Sequence, residues 1–585
     1  MGYSPPPCGE VFLCLLRASQ AAQPSARWFR ALRSLSATVQ GLDMRGRDRG
    51  GPVLFGVAPF AVELAALLFF GVVLGVQIWR LHSFTATYDQ ALFLQELWST
   101  AHGRPFESSL SSVLSAPVAL GDALPRVDYL HLGQHANVLT LLTAPLVRLL
   151  GGLALPLIQA AALTAAGLVL WRMASRRLEQ PLAVRLTLAY FLSGAVIGPG
   201  LENFHDLIWL PVLGFLVVEG LLERCWWRVG LFAAAVLLVR EDSGLMLFSL
   251  GLWALLRRPG ARAMGLVLMV VASGWVLIVT GWIQPLVDSS LTDRFFDEKF
   301  GHLVDDVSGG TAAVVLAMLQ RPLALLQAIV TPPGATLGFV LALTLPLVFI
   351  PVLSVDAVLL MLLPLLVALV SQGRTALSVT IRYVLALVPG LYLGALLWWQ
   401  AHPQAWHQRW LQRCWTGAIA LGLVLTLVSN PHRSLSALVP DSFVPWVHIS
   451  PRAMWQRGEA AREALALIPA DASVAADTPL LPSLAQREVV IRFPKFFSYR
   501  DRRGEVQDVD WIAAFPGHYS PMAPVFKEER KKLKSIRRKL RELTSTGTYQ
   551  LVRCERGVVI LHRVAAQGSD RPVRSGPSGS CPWLD

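Results

Sequence analysis

The chain has 585 residues, of which 54% are hydrophobic and only 16% are charged. With a mean hydropathy of +0.50, this composition carries more apolar surface than one soluble core can bury, and it predicts a polytopic membrane protein. The net charge of +13 does not require a nucleic-acid partner, because basic cytoplasmic loops alone raise the charge of a membrane protein.

The first part of the chain predicts a basic segment on the cytoplasmic side. Residues 1–52 are rich in arginine and poor in acids, and residues 53–80 form an apolar run long enough to cross a bilayer. Because basic residues stay in the cytoplasm, the polar stretch after this first span is predicted to lie outside. The short apolar run VFLCLL is too small for a signal-peptide core, and Met44 is an alternative start.

Apolar segments then alternate with basic clusters and predict a membrane domain at residues 53–430 with roughly eleven crossings. The further predicted spans are residues 138–171, 181–200, 207–222, 229–239, 243–256, 264–283, 335–350, 352–371, 379–398 and 415–430. Residues 81–137 and 284–334 are predicted as large outer loops. The two short segments around Arg240 predict a hairpin whose charged tip faces a polar cavity, because such a turn cannot face lipid.

Residues 431–566 differ in composition and predict a small α/β domain outside the cytoplasm. Helical spacing from Pro451 to Ile468 is followed by short β-type runs at residues 472–476, 489–493, 511–515, 549–552 and 558–562. Residues 525–543 predict a basic helix. It is either a solvated helix with internal Glu–Lys pairs or a surface for lipid headgroups or phosphorylated substrates. Residues 567–585 are predicted to be a disordered tail.

The cysteines predict no structural zinc site, because they form no CxxC pair and no histidine lies at ligand spacing. They are Cys8, Cys14, Cys225, Cys414, Cys554 and Cys581. Only Cys554 and Cys581 could face an oxidising compartment together, and whether they form a disulfide stays open.

The rule that basic loops stay in the cytoplasm (the charge rule) also places ionisable side chains from distant segments at the outer face. They are Asp89 with its neighbours Tyr88 and Gln90, His135, His205 and Asp206, the turn formed by Arg240, Glu241 and Asp242, and Arg374 and Arg382. Ionisable residues where a membrane segment meets water indicate a functional site. The sequence therefore predicts one water-accessible pocket on the non-cytoplasmic leaflet.

Four motifs carry a family resemblance. They are YDQALFLQELWSTAHGRPFESSL from Tyr88, HLGQHANVLTLLTAPL from His131, NFHDLIWLP from Asn203 and VREDSGLMLFSLGLWALL from Val239. This pattern resembles a family of uncharacterised bacterial polytopic proteins related to the GT-C superfamily of integral-membrane glycosyltransferases, and it extends from about residue 60 to the carboxyl terminus. The resemblance implies a lipid-linked phosphate sugar donor and an acid in the first extracytoplasmic loop, which Asp89 matches.

On this basis Asp89 is predicted to accept the proton of the acceptor hydroxyl, and His205 and Glu241 complete the predicted catalytic set. Arginine forks match phosphate oxygens, so Arg382 and Arg374 are predicted to hold the departing lipid phosphate. The other predicted substrate-binding residues are Tyr88, Gln90, His135, Asp206, Asp242 and Arg240, which is a third phosphate candidate.

No cofactor and no metal site are predicted. Asp89, Asp206, Glu241 and Asp242 are the oxygen ligands that could hold a divalent ion if one binds. The predicted partners are the lipid-linked sugar donor and membrane lipids, without nucleic acid, and the predicted location is the inner (plasma) membrane. The sequence gives neither the sugar and acceptor nor the oligomeric state.

Plainer structural roles remain open for these residues. They are a helix cap or a solvated loop acid for Asp89, an interfacial pair for His205 and Asp206, a structural salt bridge for Arg240 to Asp242, and contact with headgroups for Arg382. His131 and His135 lie four residues apart, so on a helix they share a face and could ligate a metal, and a capping or hydrogen-bonding role is the plainer interpretation. The alternative function is a polytopic transporter or lipid flippase, and a membrane-anchored scaffold is a third. A carrier predicts mid-span charges and two related halves, whereas here the charges cluster at one face without a repeat.

Overall fold

The computed structural model describes residues 57–304, 310–372, 377–564 and 581–584. The chain divides into a short amino-terminal unit, Met1–Ala58, and a large unit, Pro59–Asp585. The predicted basic segment at residues 1–52 and the site residue Arg374 lie outside the described residues. The large unit is mainly helical, as the sequence predicts, and has a small strand region near its carboxyl end.

Helices make up most of the described chain from residue 57 to residue 428. In chain order they are α1 (Val57–His82), α2 (Tyr88–Ala101), α3 (Ser109–Leu114), α4 (Ala116–Ala119), α5 (Val138–Leu141), α6 (Ala144–Leu150), α7 (Ala154–Ser175), α8 (Gln180–Phe191), α9 (Gly194–Leu201), α10 (Leu210–Glu223), α11 (Trp226–Leu237), α12 (Ser243–Arg257), α13 (Arg262–Ile278), α14 (Gln284–Phe300), α15 (Gly310–Gln320), α16 (Pro322–Val330), α17 (Pro333–Thr344), α18 (Ile350–Leu353), α19 (Val355–Leu360), α20 (Leu362–Val370), α21 (Val388–Ala401) and α22 (Arg409–Val428). α1 leaves Leu67 and Val72 exposed, which suits a helix that faces lipid.

Five stretches of the described chain are long and apolar enough to cross a membrane. They are Phe60–His82, Val138–Ser175, Gln180–Leu201, Pro259–Ser289 and Arg409–Val428. A sixth arises if α15 and α16, which are bent by 98°, form one broken span. Helix length therefore does not confirm the predicted count of roughly eleven crossings.

Local capping explains part of this difference. The predicted span at residues 352–371 is divided among α18, α19 and α20, none of which is long enough to cross a bilayer alone. Ser354 ends α18 and caps α19, because its side chain accepts a hydrogen bond from the Ala357 N–H. The stretch at 284–334, predicted as an outer loop, contains α14, α15 and α16.

The strand region contains the sheet that the sequence predicts. The strands are β1 (Ser442–Phe443), β2 (Trp446–Val447), β3 (Val474–Ala476), β4 (Val490–Arg492), β5 (Ser498–Arg500), β6 (Val506–Asp508), β7 (Trp511–Ala514), β8 (Tyr549–Glu555) and β9 (Val558–Arg563). Five of them form one sheet in the order β4-β3-β7-β9-β8. β3 is parallel to β4 and β7, and β9 is antiparallel to β7 and β8. All five predicted β-type runs are strands of this sheet.

Four helices accompany the strands: α23 (Pro451–Leu465), α24 (Leu481–Leu484), α25 (Pro516–Tyr519) and α26 (Lys527–Ser545). α26 is the predicted basic helix. It buries Ile536, Leu540 and Leu543 in the apolar core of the sheet, and its charged face carries internal Glu–Lys pairs with N–O distances of 3.3 and 2.7 Å. These contacts match the solvated-helix interpretation, and adhesion to headgroups stays a prediction.

A disulfide joins Cys554 in β8 to Cys581. Cys581 belongs to the tail that the sequence predicts as disordered, of which residues 581–584 are described and residues 567–580 and 585 are not. The bond fixes the end of the chain to the sheet, and the Trp583 ring lies 4.8 Å below the Arg537 guanidinium.

The polar stretch after α1 packs on this sheet. The Ser109 hydroxyl donates to the Val490 carbonyl at 2.8 Å, and Nε2 of Gln95 donates to the Arg487 carbonyl at 3.1 Å. Nη1 of Arg502 lies 3.2 Å from Oε1 of Glu107. The predicted first outer loop and the predicted carboxyl-terminal domain therefore lie on the same side of the protein.

The carboxyl end of β3 is followed by a buried acid, Asp477, whose ionisation should make the stability of the protein depend on pH. Asp477 follows β3 and is 1% exposed; its Oδ2 accepts a hydrogen bond from the Phe515 N–H at 2.8 Å. Burial raises the pKa of Asp477 to about 7. The folded chain therefore binds the Asp477 proton more tightly than the unfolded chain does. The stabilisation of the fold by this proton is fully present below the unfolded pKa of about 3.9 and is lost as the pH rises to about 7.

We therefore expect Asp477→Asn to stabilise the protein at pH 8 more than at pH 4, since Asn keeps the acceptor oxygen and cannot ionise. The difference is a few kcal/mol at most, at about 1.4 kcal/mol for each pKa unit. Thermal melting of the purified protein and the variant at both pH values measures it. Parallel melting profiles would contradict the assigned ionisation.

Candidate active site

Asp89 shares a guanidinium group with a second carboxylate. It lies in the first turn of α2, and its Oδ2 is 2.7 Å from Nη1 of Arg382. The same Nη1 is 2.9 Å from Oε1 of Glu202, and the backbone N–H of Arg382 donates to Oε2 of Glu202 at 2.8 Å. The Asp89 side chain is still 35% exposed. Three segments that are far apart in sequence thus meet at one carboxylate that solvent can reach.

The loop after α9 holds the start of α2 in place. Oδ1 of Asn203 accepts hydrogen bonds from the Thr87 N–H at 3.1 Å and from Nη2 of Arg80 at 3.0 Å. Oε1 of Gln90 accepts a hydrogen bond from the Phe204 N–H at 2.8 Å. Gln90 is buried, so these contacts give it the role of positioning the loop.

A second group of charges forms around the tip of the predicted hairpin, between α11 and α12. Nη1 of Arg240 lies 3.8 Å from Oδ1 of Asp206, and its Nε donates to Oδ1 of Asp242 at 2.7 Å. Oε1 of Glu241 lies 2.9 Å from Nδ1 of His135. Burial would raise the pKa of Glu241, but His135 and Arg240 outweigh it and lower that pKa to about 2. Glu241 is therefore an ionised group that orients His135.

Tyr383 and His205 connect the two groups. The Tyr383 ring lies 5.5 Å from the Arg382 guanidinium, 6.0 Å from that of Arg240 and 5.4 Å from Nζ of Lys299. Burial, with Arg382 and Arg240 nearby, lowers the pKa of His205 well below its usual range. His205 is therefore a neutral imidazole, and neither of its ring nitrogens has a hydrogen-bond partner among the described residues.

The network continues from His135 into the interior behind α2. The rings of His135 and His131 are 5.7 Å apart, and Nε2 of His131 lies 4.0 Å from Oε2 of Glu96. Nδ2 of Asn137 donates to the same Glu96 oxygen at 2.9 Å. Burial raises the pKa of Glu96 to about 8 and lowers that of His131 to about 3. At neutral pH this pair is a protonated carboxyl beside a neutral imidazole.

The structure brings most of the predicted site residues together. Asp89, His135, His205, Asp206, Arg240, Glu241, Asp242 and Arg382 belong to the connected network described above. Tyr88 does not face it, because its hydroxyl donates to the Leu110 carbonyl. Arg374 lies outside the described residues. Glu202, Tyr383, Lys299 and Glu96 are network residues that the sequence prediction did not assign, although Glu202 directly precedes one motif and Tyr383 directly follows Arg382.

No group of three or more His, Cys, Asp or Glu side chains within the described ranges has the arrangement of a metal site. The acids of the network are instead paired with arginine or histidine. A divalent ion on Asp89, Asp206, Glu241 and Asp242 therefore stays a prediction.

The fold and this network define a helical membrane protein with a charged site beside a carboxyl-terminal sheet. The chain belongs to the family described as Predicted membrane protein (DUF2079), whose family model matches residues 80–560. The matched range begins at the end of α1 and includes the network and all of the sheet except the last three residues of β9. No curated protein matches the chain. The family supports the membrane class, and the relation to GT-C enzymes rests on the motif resemblance alone.

Proposed function

We propose that the protein is an integral-membrane glycosyltransferase that moves a sugar from a polyprenyl-phosphate-linked donor to an acceptor outside the cytoplasm. The observation that carries the proposal is Asp89, an accessible carboxylate at the start of α2 that Arg382 and the loop after α9 hold in position. The resemblance to GT-C enzymes implies an acid at this place in the first loop.

The chemistry requires one proton acceptor and one leaving group. Asp89 accepts the proton of the acceptor hydroxyl as its oxygen forms a bond to the anomeric carbon of the sugar. The bond from that carbon to the phosphate oxygen breaks, and the lipid phosphate leaves with the electron pair. His205, a neutral imidazole close to Arg382, donates a hydrogen bond to the departing oxygen or to the acceptor.

Two observations support an extracytoplasmic site. The stretch after α1 and the carboxyl-terminal sheet pack together, as the charge rule requires if both lie outside. The disulfide between Cys554 and Cys581 suits an oxidising compartment. The proposed topology has a cytoplasmic amino terminus, roughly eleven crossings of the plasma membrane and an external carboxyl-terminal domain.

The disulfide makes this topology testable. We expect Cys554 and Cys581 to resist alkylation in intact cells and to react with a membrane-impermeant maleimide only after an impermeant reductant has been added. Peptide mapping by mass spectrometry identifies the labelled residues. Cys225 is the internal control, since its side chain is buried and should stay unlabelled in both conditions. Free thiols at both positions in untreated cells would contradict the external placement.

The activity itself is tested by comparing extracytoplasmic glycans and lipid-linked sugars in cells with and without the gene. We expect one sugar to be missing from a glycan and its lipid-linked donor to accumulate. Purified protein in lipid vesicles should then break the glycosyl–phosphate bond of that donor. Movement of the intact donor across the vesicle membrane, without cleavage of this bond, would overturn the proposal in favour of a flippase.

A further inference from the structure

A cavity of about 150 Å³ lies where the segment that follows α1, residues 432–457 and the carboxyl-terminal sheet meet. Thr478 lines it just after β3, and Phe515 and His518 line it just after β7. The volume is several times that of a water molecule in the liquid, about 30 Å³. The cavity can therefore hold a small polar group.

The strand order gives this position a meaning. β3 and β7 are neighbouring parallel strands, and β4 lies on the other side of β3. The chain thus leaves β3 for β4 in one direction and returns to β7 on the opposite side. The crevice at the carboxyl ends of β3 and β7 is the point where the strand order reverses, which is where ligands bind in open α/β sheets.

Three cationic side chains from separate elements line the cavity. Arg457 comes from α23, Lys532 from α26, and Arg433 from the 3₁₀ turn Pro431–Arg433. Arg433 is paired with Glu529 at 3.2 Å. Arg457 and Lys532 have neither an ion pair nor a hydrogen bond with any described residue. Asp441 and Glu529 also line the cavity, so its three cations exceed its two carboxylates by one positive charge.

The cavity also contains a buried imidazole, His518, whose pKa is affected by these cations. Burial and the three cations Arg457, Lys532 and Arg433 lower the pKa of His518 to about 3. His518 is therefore neutral and can donate one hydrogen bond. A cavity with unpaired cations and a neutral donor favours an anion with several acceptor oxygens.

The arginines of the charged network offer no such free positive charge. Arg382 is paired with Asp89 and Glu202, and Arg240 is paired with Asp242 and lies near Asp206. An anion that approached either guanidinium would meet two carboxylates. In the cavity, by contrast, Glu529 is paired with Arg433, and neither Arg457 nor Lys532 forms an ion pair with a described carboxylate.

We propose that this cavity binds a phosphate group through Arg457 and Lys532, so that the protein takes a phosphorylated ligand at the switch point of its carboxyl-terminal sheet. The Arg457 fork contacts two phosphate oxygens, and Lys532 supplies a second positive charge. The phosphate belongs either to a lipid headgroup or to a soluble phosphorylated molecule. The proposal does not depend on sugar transfer.

The first test titrates inorganic phosphate into the full purified chain at constant ionic strength, by calorimetry and by the rise in melting temperature that ligand binding causes. We expect saturable binding that Arg457→Gln and Lys532→Gln each weaken by about tenfold or more. The matched controls are Arg452→Gln and Lys534→Gln, exposed residues of the same two helices that do not line the cavity. No saturable binding, or equal loss in all four variants, would overturn the proposal.

A second measurement identifies the source of the phosphate. The protein is placed in nanodiscs of phosphatidylcholine alone or with phosphatidic acid, and glucose 1-phosphate is added as a soluble competitor. Competition by phosphatidic acid indicates a lipid headgroup, and competition by glucose 1-phosphate alone indicates a soluble ligand. Asp89→Asn should leave phosphate binding unchanged. If the protein binds phosphate in this cavity but transfers no sugar, the phosphate site is supported and the proposed function is wrong.

Discussion

We expect Asp89→Asn to lower the rate of the proposed sugar transfer by about 10²–10⁴-fold, the usual effect of removing a general base. Asn has the same shape as Asp and keeps an oxygen that can accept the hydrogen bond of Arg382, but it cannot take the proton of an acceptor hydroxyl. The first turn of α2 also keeps its contacts with Asn203. The variant should therefore insert and melt much as the parent protein does. Single-turnover assays with the lipid-linked donor measure the chemical step.

A matched control separates the role of Asp89 from a general effect of charge. Asp122 lies in the same polar stretch after α1, is exposed and belongs to no part of the network. We expect Asp122→Asn to transfer sugar at the parental rate. Full turnover by Asp89→Asn would remove this carboxylate from the mechanism, whereas equal losses in both variants would indicate a field effect on the donor.

The strands were predictable because their signal is local. Runs such as VVIRF at residues 489–493 and VVILH at residues 558–562 are short and rich in β-branched residues, so pairing partners are not needed to recognise them. The convergence of Asp89, Arg382 and the Arg240 turn also followed from the sequence, because the charge rule assigns each of them to the same face independently of contacts.

The membrane spans, and the contacts between the residues of the site, were less predictable from the sequence. An apolar composition does not show where a helix breaks, and the capping hydrogen bond of Ser354 divides a run that hydropathy alone joins. Tyr383 was not assigned because its role depends on Arg240 and Lys299, which reach its ring from distant segments, as well as on the adjacent Arg382. The shared guanidinium of Arg382 is likewise a contact between positions 293 and 180 residues apart, which no local pattern records.

Arg382→Ala is the second variant for which we expect a large effect, and it distinguishes a shared ion pair from contact with headgroups. Removal of Arg382 leaves the carboxylates of Asp89 and Glu202 close together without their common cation. Glu202 is nearly buried and Asp89 is partly exposed, so the expected loss of stability is about 2–3 kcal/mol. Arg148→Ala, at an exposed position of α6, is the control and should change the melting temperature little.

A double variant isolates the repulsion between the two carboxylates. Glu202→Gln in the Arg382→Ala background removes one negative charge, so we expect it to restore most of the lost melting temperature. Transfer should stay low, because Asp89 is then no longer held in position. Such a rescue would show energetic coupling between Arg382 and Glu202, which are in contact, and a double-mutant cycle measures this coupling. If Arg382 only contacts headgroups, neither the loss of stability nor the rescue by Glu202→Gln will occur.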